Sequence, residues 1–279
     1  MTNMDSIARS YLFVPGNRPD RFEKACAAGA GAVIIDLEDA VPAAEKSKAR
    51  TAVEAWVDPK HPVVLRINGV DTDWFRDDVT CCRMPGVQAI MLPKTESVEH
   101  LRRVEELLGQ TIPILPLIET ARGFASAAEI AHDRAVHRLV FGSLDFQIDV
   151  GIPGDDEELL YFRSQLVFIS RVAGIQPPVD GVTTAIDDSE QLRADTVRAR
   201  RLGFGGKLCI HPKQIATVNE CNRPTENEIA WARRVVEAAT AAKGAAVALE
   251  GQMVDRPVIV KAQRILDEVE RGAGKSSGG

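Results

Sequence analysis

The chain carries its clearest structural signal in two stretches, TIPILPLIETARGF at residues 111–124 and HRLVFGSLDF at residues 137–146. Each stretch contains a short apolar run, typical of a strand that is buried on both faces of a parallel sheet. A carboxylate follows each run, Glu119 in the first and Asp145 in the second. Because a buried charge without a partner is costly, we expect these acids to serve a function rather than stability.

Glu119 and Asp145 together predict a site for a divalent metal. Active sites of parallel barrels form at the carboxyl ends of the strands, so acids that follow two consecutive strands should lie close together. Mg²⁺ takes hard oxygen ligands, commonly one or two carboxylates, and leaves positions open for a substrate. The alternative is that each acid merely stabilises the first turn of a solvated helix.

The rest of the chain repeats the pattern of a short apolar run, a loop and an amphipathic stretch. This alternation indicates right-handed βαβ units, and eight of them favour an α/β fold of the (β/α)8 TIM barrel type. The strands are predicted at residues 11–14, 32–37, 63–67, 89–92, 114–118, 139–141, 178–182 and 207–210.

The chain continues beyond the eighth unit. Thr225 and Glu228 have the spacing of a capping box that opens a helix to about residue 242, and a second helix is predicted at 258–270 after a loop at 248–257. We therefore expect three parts: a barrel at 1–220, a C-terminal helical extension and lid at 221–272, and a flexible tail at 273–279.

The bulk properties are those of an ordinary globular protein, with 45% hydrophobic and 27% charged residues. A net charge of −6 without a basic stripe argues against nucleic-acid binding. No apolar run approaches the roughly 18 residues that a membrane span needs. The five cysteines show no CxxC spacing, which favours a reducing compartment, and we expect the cytoplasm.

Polar side chains follow nearly every predicted strand. Arg66, in VLRING, offers a planar fork that grips a carboxylate or stabilises an oxyanion, or it merely ties loops together by pairing with Glu38 or Asp39. These two acids are expected to orient water around the metal. His211 lies beside a proline and is more typical of a structural histidine.

The segment GNRPDRFEKA, residues 16–25, places Arg18, Arg21 and Lys24 near a predicted helix N-terminus. Cations beside free N–H groups favour an anion site, for instance for phosphate. The alternative is a solvated helix face whose cations pair with Asp20 and Glu23. No GxGxxG or P-loop pattern is present, so nothing supports a nucleoside triphosphate site.

Seven motifs follow one another along the chain: LFVPGNRPDRFEKA, DLEDAV, VLRING, PKTES, LIETARG, FGSLDF and GKLCIHPKQI. Together they resemble the HpcH/HpaI aldolase and citrate lyase family, and most closely its citrate lyase β-subunit-like branch. The resemblance spans about residues 10–266. It implies a TIM barrel, a homotrimer or hexamer, and cleavage or formation of C–C bonds in coenzyme A thioesters with Mg²⁺, Mn²⁺ being an alternative metal.

The resemblance assigns roles residue by residue. Arg66 matches the arginine that grips the keto-acid portion and polarises the reacting oxygen. Glu119 and Asp145 match the two Mg²⁺ ligands, and Glu38 and Asp39 match the acidic pair behind the metal.

Further residues are implied to bind the substrate. The backbone of Gly142, Ser143 and Leu144 matches the cradle of the substrate carboxylate, and Arg18 and Lys24 match positions that bind coenzyme A phosphates. The segment GQMVDRP resembles the lid of malyl-CoA and citramalyl-CoA lyases, in which an aspartate acts as acid or base in a neighbouring subunit's site. Asp255 occupies that place.

The sequence thus predicts a Mg²⁺-dependent lyase that cleaves or forms citramalyl-CoA, malyl-CoA, citryl-CoA or a similar 3-hydroxyacyl-CoA, with acetyl-CoA and a 2-oxo acid as products. Three alternatives stay open. They are the β subunit of a citrate lyase complex that acts on an acyl-carrier-protein thioester, a metal-dependent aldolase that acts without coenzyme A, and a non-catalytic acyl-CoA sensor.

Overall fold

Eight parallel strands close into a barrel in which each strand pairs with its neighbour in the sequence and β8 pairs with β1. The computed structural model describes residues 8–241, 247–249 and 252–273. The predicted (β/α)8 barrel is confirmed. The strands are β1 (Ser10–Pro15), β2 (Ala32–Asp36), β3 (Val63–Arg66), β4 (Val87–Leu92), β5 (Ile114–Ile118), β6 (Val140–Phe141), β7 (Val179–Asp180) and β8 (Gly206–Cys209).

Helices alternate with these strands and continue after β8. Short 3-10 turns precede several of them, at Pro19–Arg21, Ala43–Glu45, Glu157–Leu159 and Pro212–Gln214. The helices are α1 (Phe22–Cys26), α2 (Lys46–Trp56), α3 (Phe75–Cys81), α4 (Val98–Leu108), α5 (Ala121–Ala125), α6 (Ala127–Ala131), α7 (Ser143–Val150), α8 (Leu160–Val172), α9 (Ser189–Leu202), α10 (Ile215–Cys221), α11 (Glu226–Ala241) and α12 (Arg256–Ala273).

The sequence of β5 is apolar at every position, and the packing of the strand explains why. Leu115 and Leu117 belong to the cluster that fills the inside of the barrel, whereas Ile114 and Ile118 pack in the layer between the strands and the helices. Both faces of the strand are buried, so every position favours an apolar side chain.

Two local predictions need correction. No helix was predicted directly after β6, yet α7 begins at Ser143, so Asp145 lies in the first turn of a helix. The segment 248–257 was predicted to be a loop, but residues 248–249 and 252–254 belong to two antiparallel strands, β9 (Val247–Leu249) and β10 (Gln252–Val254), and α12 already begins at Arg256. In both places the elements are short, and a short element leaves little periodicity for the sequence to show.

The chain divides into two compact units, residues 1–222 and 223–279. The capping box that opens α11 is confirmed, because the Thr225 N–H donates to Glu228 Oε2 at 2.7 Å and the Glu228 N–H donates to Thr225 Oγ1 at 3.2 Å. Within the second unit, Ala232, Val235, Val254 and Ala262 form a small core. Most of the predicted tail, 274–279, lies outside the described residues. None of the described helices is long and apolar enough to cross a bilayer.

Candidate active site

A cavity of about 820 Å³ lies at the carboxyl ends of the barrel strands. Its volume is within the range of small-molecule sites. The predicted site residues that line it are Arg18, Lys24, Asp39, Arg66, Glu119, Gly142, Ser143, Leu144 and Asp145. Glu38 is buried behind this wall, and Asp255 belongs to the second compact unit.

Arg66 is fixed at the end of β3 by an acid that the sequence analysis did not single out. Asp36, the last residue of β2, lies opposite Arg66 in the strand register. Arg66 Nε and Nη2 donate to the two Asp36 oxygens at 2.7 and 2.6 Å. The guanidinium group stacks over the Phe13 ring at 4.8 Å. The signal that could have found Asp36 is that both residues end neighbouring strands.

The sequence left two roles open for Arg66, binding a substrate group or pairing with Glu38 or Asp39, and its remaining contacts are compatible with both. Its Nη1 atom lies 3.0 Å from Glu38 Oε2 and 3.6 Å from Asp39 Oδ2, so it does tie these acids together. Burial alone would lower the pKa of Arg66, but the charge and hydrogen bonds of Asp36 outweigh that effect and raise it. Arg66 therefore presents a permanent positive charge to the cavity that it lines.

Glu119 is a buried carboxylate that one hydrogen bond holds in place. It is only 2% exposed, and its Oε1 atom accepts the Lys94 backbone N–H at 2.7 Å. Burial, followed by the charge of Glu38, raises the pKa of Glu119 to about 8, and the charge of Asp145 also raises it. A Cβ atom at Gly142 would lie 2.5 Å from Glu119 Cβ, so only glycine fits beside this acid.

Asp145 faces the same cavity from the first turn of α7, where the free N–H groups of the helix favour a negative charge. Ser143 precedes it, and its buried hydroxyl has no hydrogen-bond partner in the described structure. A Cβ at Gly181 would lie 2.4 Å from that hydroxyl, so glycine is needed there too. The first turn of α7 thus offers hydrogen-bond donors, its free N–H groups and the Ser143 hydroxyl, to an anionic ligand that binds next to Asp145.

The residues present fit a magnesium ion held by two carboxylates. The described residues contain no group of three or more His, Cys, Asp or Glu side chains that could hold a metal ion. Glu119 and Asp145 line one cavity, and burial of Glu119, together with the negative charges of Glu38 and Asp145, raises the pKa of Glu119. A bound cation would favour the ionised form of this acid. Mg²⁺ commonly takes one or two carboxylates and fills its other positions with water and substrate oxygens.

Glu38 is buried outside the cavity lining, and its charge acts on Glu119. Burial raises its pKa to about 7, although the charge of Arg66 acts in the opposite direction. Lys94 Nζ lies 3.4 Å from Glu38 Oε1, so two cations, Arg66 and Lys94, contact this acid. Asp39 is exposed and lines the cavity instead.

The opposite part of the cavity wall is cationic and exposed. Arg18 pairs with Asp20 through two contacts of 2.9 Å, which is the pairing expected of a solvated helix face. Arg21 and Lys24 also line the cavity, and neither forms an ion pair within the described structure. His211 caps a short turn by accepting the Lys213 N–H at 3.2 Å, which is a structural contact.

Known proteins share this architecture. The HpcH/HpaI aldolase/citrate lyase family model matches residues 9–212. A citrate lyase subunit beta-like protein of Deinococcus radiodurans is 39% identical over 278 residues, covering 94% of this chain and 97% of that protein. A (3S)-malyl-CoA thioesterase of Cereibacter sphaeroides is 34% identical over 272 residues and covers 94% of each chain.

A solved structure is similar over nearly the whole chain. CitE from Mycobacterium tuberculosis, in complex with magnesium, acetoacetate and coenzyme A, matches with a TM-score of 0.85 at 34% identity. The match covers 95% of this chain and 99% of that chain. This chain therefore belongs to the HpcH/HpaI aldolase/citrate lyase family, and it is citrate lyase beta-like within that family.

Proposed function

We propose that this chain is a Mg²⁺-dependent lyase that cleaves a 3-hydroxyacyl-CoA into acetyl-CoA and a 2-oxo acid. One observation carries the proposal: a single cavity joins an acidic end, formed by the buried Glu119 and Arg66 and the half-buried Asp145, to an exposed cationic rim. The two ends suit a metal-chelating hydroxy acid and a phosphorylated carrier, respectively. The similar CitE protein, crystallised with magnesium, acetoacetate and coenzyme A, supports this assignment.

The substrate's hydroxy-acid end would lie at the buried end of the cavity. Mg²⁺ held by Glu119 and Asp145 would polarise its hydroxyl and carboxylate oxygens. The free N–H groups in the first turn of α7, with the unpartnered Ser143 hydroxyl, would receive the carboxylate. Arg66 would stabilise the charge that develops on the hydroxyl oxygen, because its position is fixed by Asp36 before the substrate binds.

Cleavage is then a retro-Claisen reaction. The hydroxyl group loses its proton to water, its oxygen becomes the carbonyl of the 2-oxo acid, and the bond between the second and third carbons of the acyl chain breaks. The electron pair passes into the thioester as an enolate, which gains a proton at carbon to give acetyl-CoA. We assign that proton transfer to Asp255, on its resemblance to the lid acid of related lyases.

A coupled assay tests the reaction. Citramalyl-CoA, malyl-CoA and citryl-CoA are each offered with Mg²⁺, and the release of pyruvate, glyoxylate and oxaloacetate is followed together with acetyl-CoA. Cleavage of one of them, lost with EDTA and restored by Mg²⁺, is the expected result. Folded, metal-loaded protein that releases no 2-oxo acid from any of the three would contradict the proposal.

A thioesterase is the second candidate, because a (3S)-malyl-CoA thioesterase is 34% identical to this chain. Hydrolysis would release free coenzyme A and malate, whereas the lyase reaction releases acetyl-CoA and glyoxylate. Thiol titration during the malyl-CoA assay separates the two, since only free coenzyme A reacts. Release of free coenzyme A in an amount equal to the malyl-CoA consumed, without acetyl-CoA, would favour the hydrolase.

Asp255→Asn tests the proton donor. We expect kcat to fall on the order of 100-fold, because general acids typically contribute about 10² to 10⁴. Mg²⁺ affinity, measured by calorimetry, should remain unchanged. The neighbouring exposed residue Met253 provides a control, since Met253→Ala should retain kcat within about twofold. An unchanged kcat in Asp255→Asn would remove this residue from the mechanism.

A further inference from the structure

The turn after β4 contains an unusual backbone conformation. Lys94 has a φ of 45°, and in the described part of the chain it is the only non-glycine residue with a positive φ. A long side chain rarely adopts this left-handed region, which asparagine tolerates better and glycine adopts freely. Strain of this kind persists only where the surrounding structure enforces it, and it clusters at functional sites.

Two hydrogen bonds from the next residue enforce the turn. Thr95 Oγ1 donates to the Leu92 carbonyl at 2.8 Å, which closes the turn on its own strand. The Thr95 N–H donates to the Leu117 carbonyl at 3.3 Å, which ties the turn to β5 just before Glu119. Thr95 is fully buried, so the backbone of Lys94 is held from its C-terminal side.

The turn directs two groups of Lys94 to two different acids. Its backbone N–H donates to Glu119 Oε1 at 2.7 Å, and its Nζ atom lies 3.4 Å from Glu38 Oε1. The second oxygen of Glu119, Oε2, faces Gly142, because a Cβ built there would lie 2.6 Å from it. Lys94 therefore contacts one oxygen of each acid. The other oxygen of Glu119, Oε2, is not part of the hydrogen bond with the Lys94 N–H and faces the segment that leads into α7.

We propose that Lys94 is a positioning residue with two separable actions. Its backbone amide holds Glu119 in the orientation that leaves Oε2 free, and its ammonium group holds Glu38 beside Arg66. Glycine would satisfy the left-handed turn without strain, so the backbone does not explain a lysine at this position, whereas the contact with Glu38 does. The inference rests on the proposed lyase function, in which both acids serve the metal end of the cavity.

Substitutions can separate the two actions. Lys94→Gly keeps the amide and relaxes the turn but removes the ammonium group. Lys94→Val places a β-branched side chain in a conformation that it strongly disfavours, so the turn and its amide must move. Lys94→Arg keeps a cation. Lys60→Gly is the matched control, because Lys60 is an exposed lysine in a turn that precedes β3, at the other end of the barrel.

The first measurement is Mn²⁺ affinity of the metal-free protein, by electron paramagnetic resonance titration. Lys94→Gly should bind Mn²⁺ within about twofold of the unsubstituted chain, whereas Lys94→Val should bind about 10- to 100-fold more weakly, the range for residues that orient metal ligands. A Lys94→Val protein that binds Mn²⁺ normally would overturn the role of the amide. This measurement needs no turnover, so it stands even if the lyase reaction is not observed.

The second measurement is kcat with the cleaved thioester. Lys94→Gly should lower kcat about tenfold, Lys94→Arg should restore most of it, and Lys60→Gly should leave it unchanged. In a Glu38→Gln background, Lys94→Gly should have little further effect, since the ammonium group then has no charge to hold. Equal losses in both backgrounds, or a kcat unaffected by Lys94→Gly, would overturn the role of the ammonium group.

Thermal unfolding distinguishes positioning from a purely structural role. Lys94→Gly should unfold no earlier than the unsubstituted chain, because the substitution relieves strain at a left-handed position. A lower midpoint, with Mn²⁺ affinity and kcat reduced only in proportion to the folded fraction, would make Lys94 structural and overturn the proposal.

Discussion

Arg66 and Arg18 each hold an aspartate through two nitrogen–oxygen contacts, yet their surroundings differ. The Arg66–Asp36 pair is almost completely buried, with distances of 2.7 and 2.6 Å. The Arg18–Asp20 pair has both distances at 2.9 Å, with side chains that are 45% and 60% exposed. Water competes for the exposed pair and screens its charges, so that pair can open at little cost.

The difference between the two pairs suits the two ends of the substrate that we propose. At the buried end, charges are fixed in advance, so they can stabilise a reacting oxygen without reorganising. At the rim, cations can leave one partner for another, which suits a mobile, phosphorylated carrier. In the proposed reaction, the buried pair would serve catalysis and the exposed cations would serve capture of the carrier.

The largest effect is expected from removing a charge at the buried end. Glu119→Ala should abolish Mg²⁺ binding and lower kcat/KM on the order of 1000-fold, because the metal contributes several kcal/mol to stabilising the reacting oxygen. Calorimetry with Mg²⁺ and the coupled assay would measure both. Glu23→Ala, which removes an exposed acid from α1, is the control and should retain activity. Full activity in Glu119→Ala would refute the metal assignment.

Breaking the buried pair should also cost stability. Arg66→Met leaves Asp36 buried without its cation and Glu38 with Lys94 alone, and losing one partner of a buried pair costs about 3–5 kcal/mol. Arg18→Met should leave the denaturant midpoint unchanged, because Asp20 remains in water. Chemical unfolding of the two variants compares the two environments directly. Equal midpoints would mean that burial does not distinguish the pairs.

The buried acids should make the metal-free protein less stable as the pH rises. The pKa of Glu119 is raised to about 8 and that of Glu38 to about 7, both above the ordinary value of 4.5. Between about pH 4.5 and 8 the folded state therefore holds more protons than the unfolded state, so stability falls with increasing pH.

Denaturant midpoints in EDTA at pH 5, 6.5 and 8 would test this dependence. The midpoint should fall across the series, and Glu119→Gln should flatten the fall because an amide does not titrate. Mg²⁺ should restore stability at pH 8, where the ionised acids bind it. A midpoint that rises with pH in the unsubstituted chain, and equally in Glu119→Gln, would contradict the prediction.

The smallest effects are expected at the rim. Lys24→Ala and Arg21→Ala should each raise the KM for the coenzyme A thioester several-fold without changing kcat, and added salt should reduce the difference. Arg18→Ala should have less effect, because Asp20 already neutralises that cation. A pantetheine thioester, which lacks the nucleotide phosphates, is the control substrate. If its KM rises as much, the rim does not bind phosphate.

The sequence was sufficient to predict the strands around the site and three of the residues that line it. The apolar run of β5 matches its observed bounds, Ile114–Ile118, because burial on both faces leaves an unmistakable pattern. Glu119, Asp145 and Arg66 line one cavity because strands of a parallel barrel end at the same face. Local composition and chain order were sufficient for these inferences.

Other features escaped the sequence because they depend on contacts between distant segments. In the sequence, Asp36 is one residue of an otherwise apolar strand. Its carboxylate contacts Arg66 because the register of β2 against β3 sets the two residues opposite each other. The left-handed turn at Lys94 is enforced by a hydrogen bond to β5, more than 20 residues away. Helix α7 has only eight residues, too few for its periodicity to be recognised. Asp145 was therefore expected at the end of a strand, whereas it lies in the first turn of this helix.

Hydrophobic periodicity and residue chemistry are local properties, so they were enough to predict the barrel, the acids after its strands and the cationic segment after β1. The burial of each charge, the partner of each charge and the oxygen of Glu119 that stays free become visible only in the folded chain. Those outcomes depend on burial and on distances of a few ångströms between strands, and the Coulomb energy of each pair depends on both.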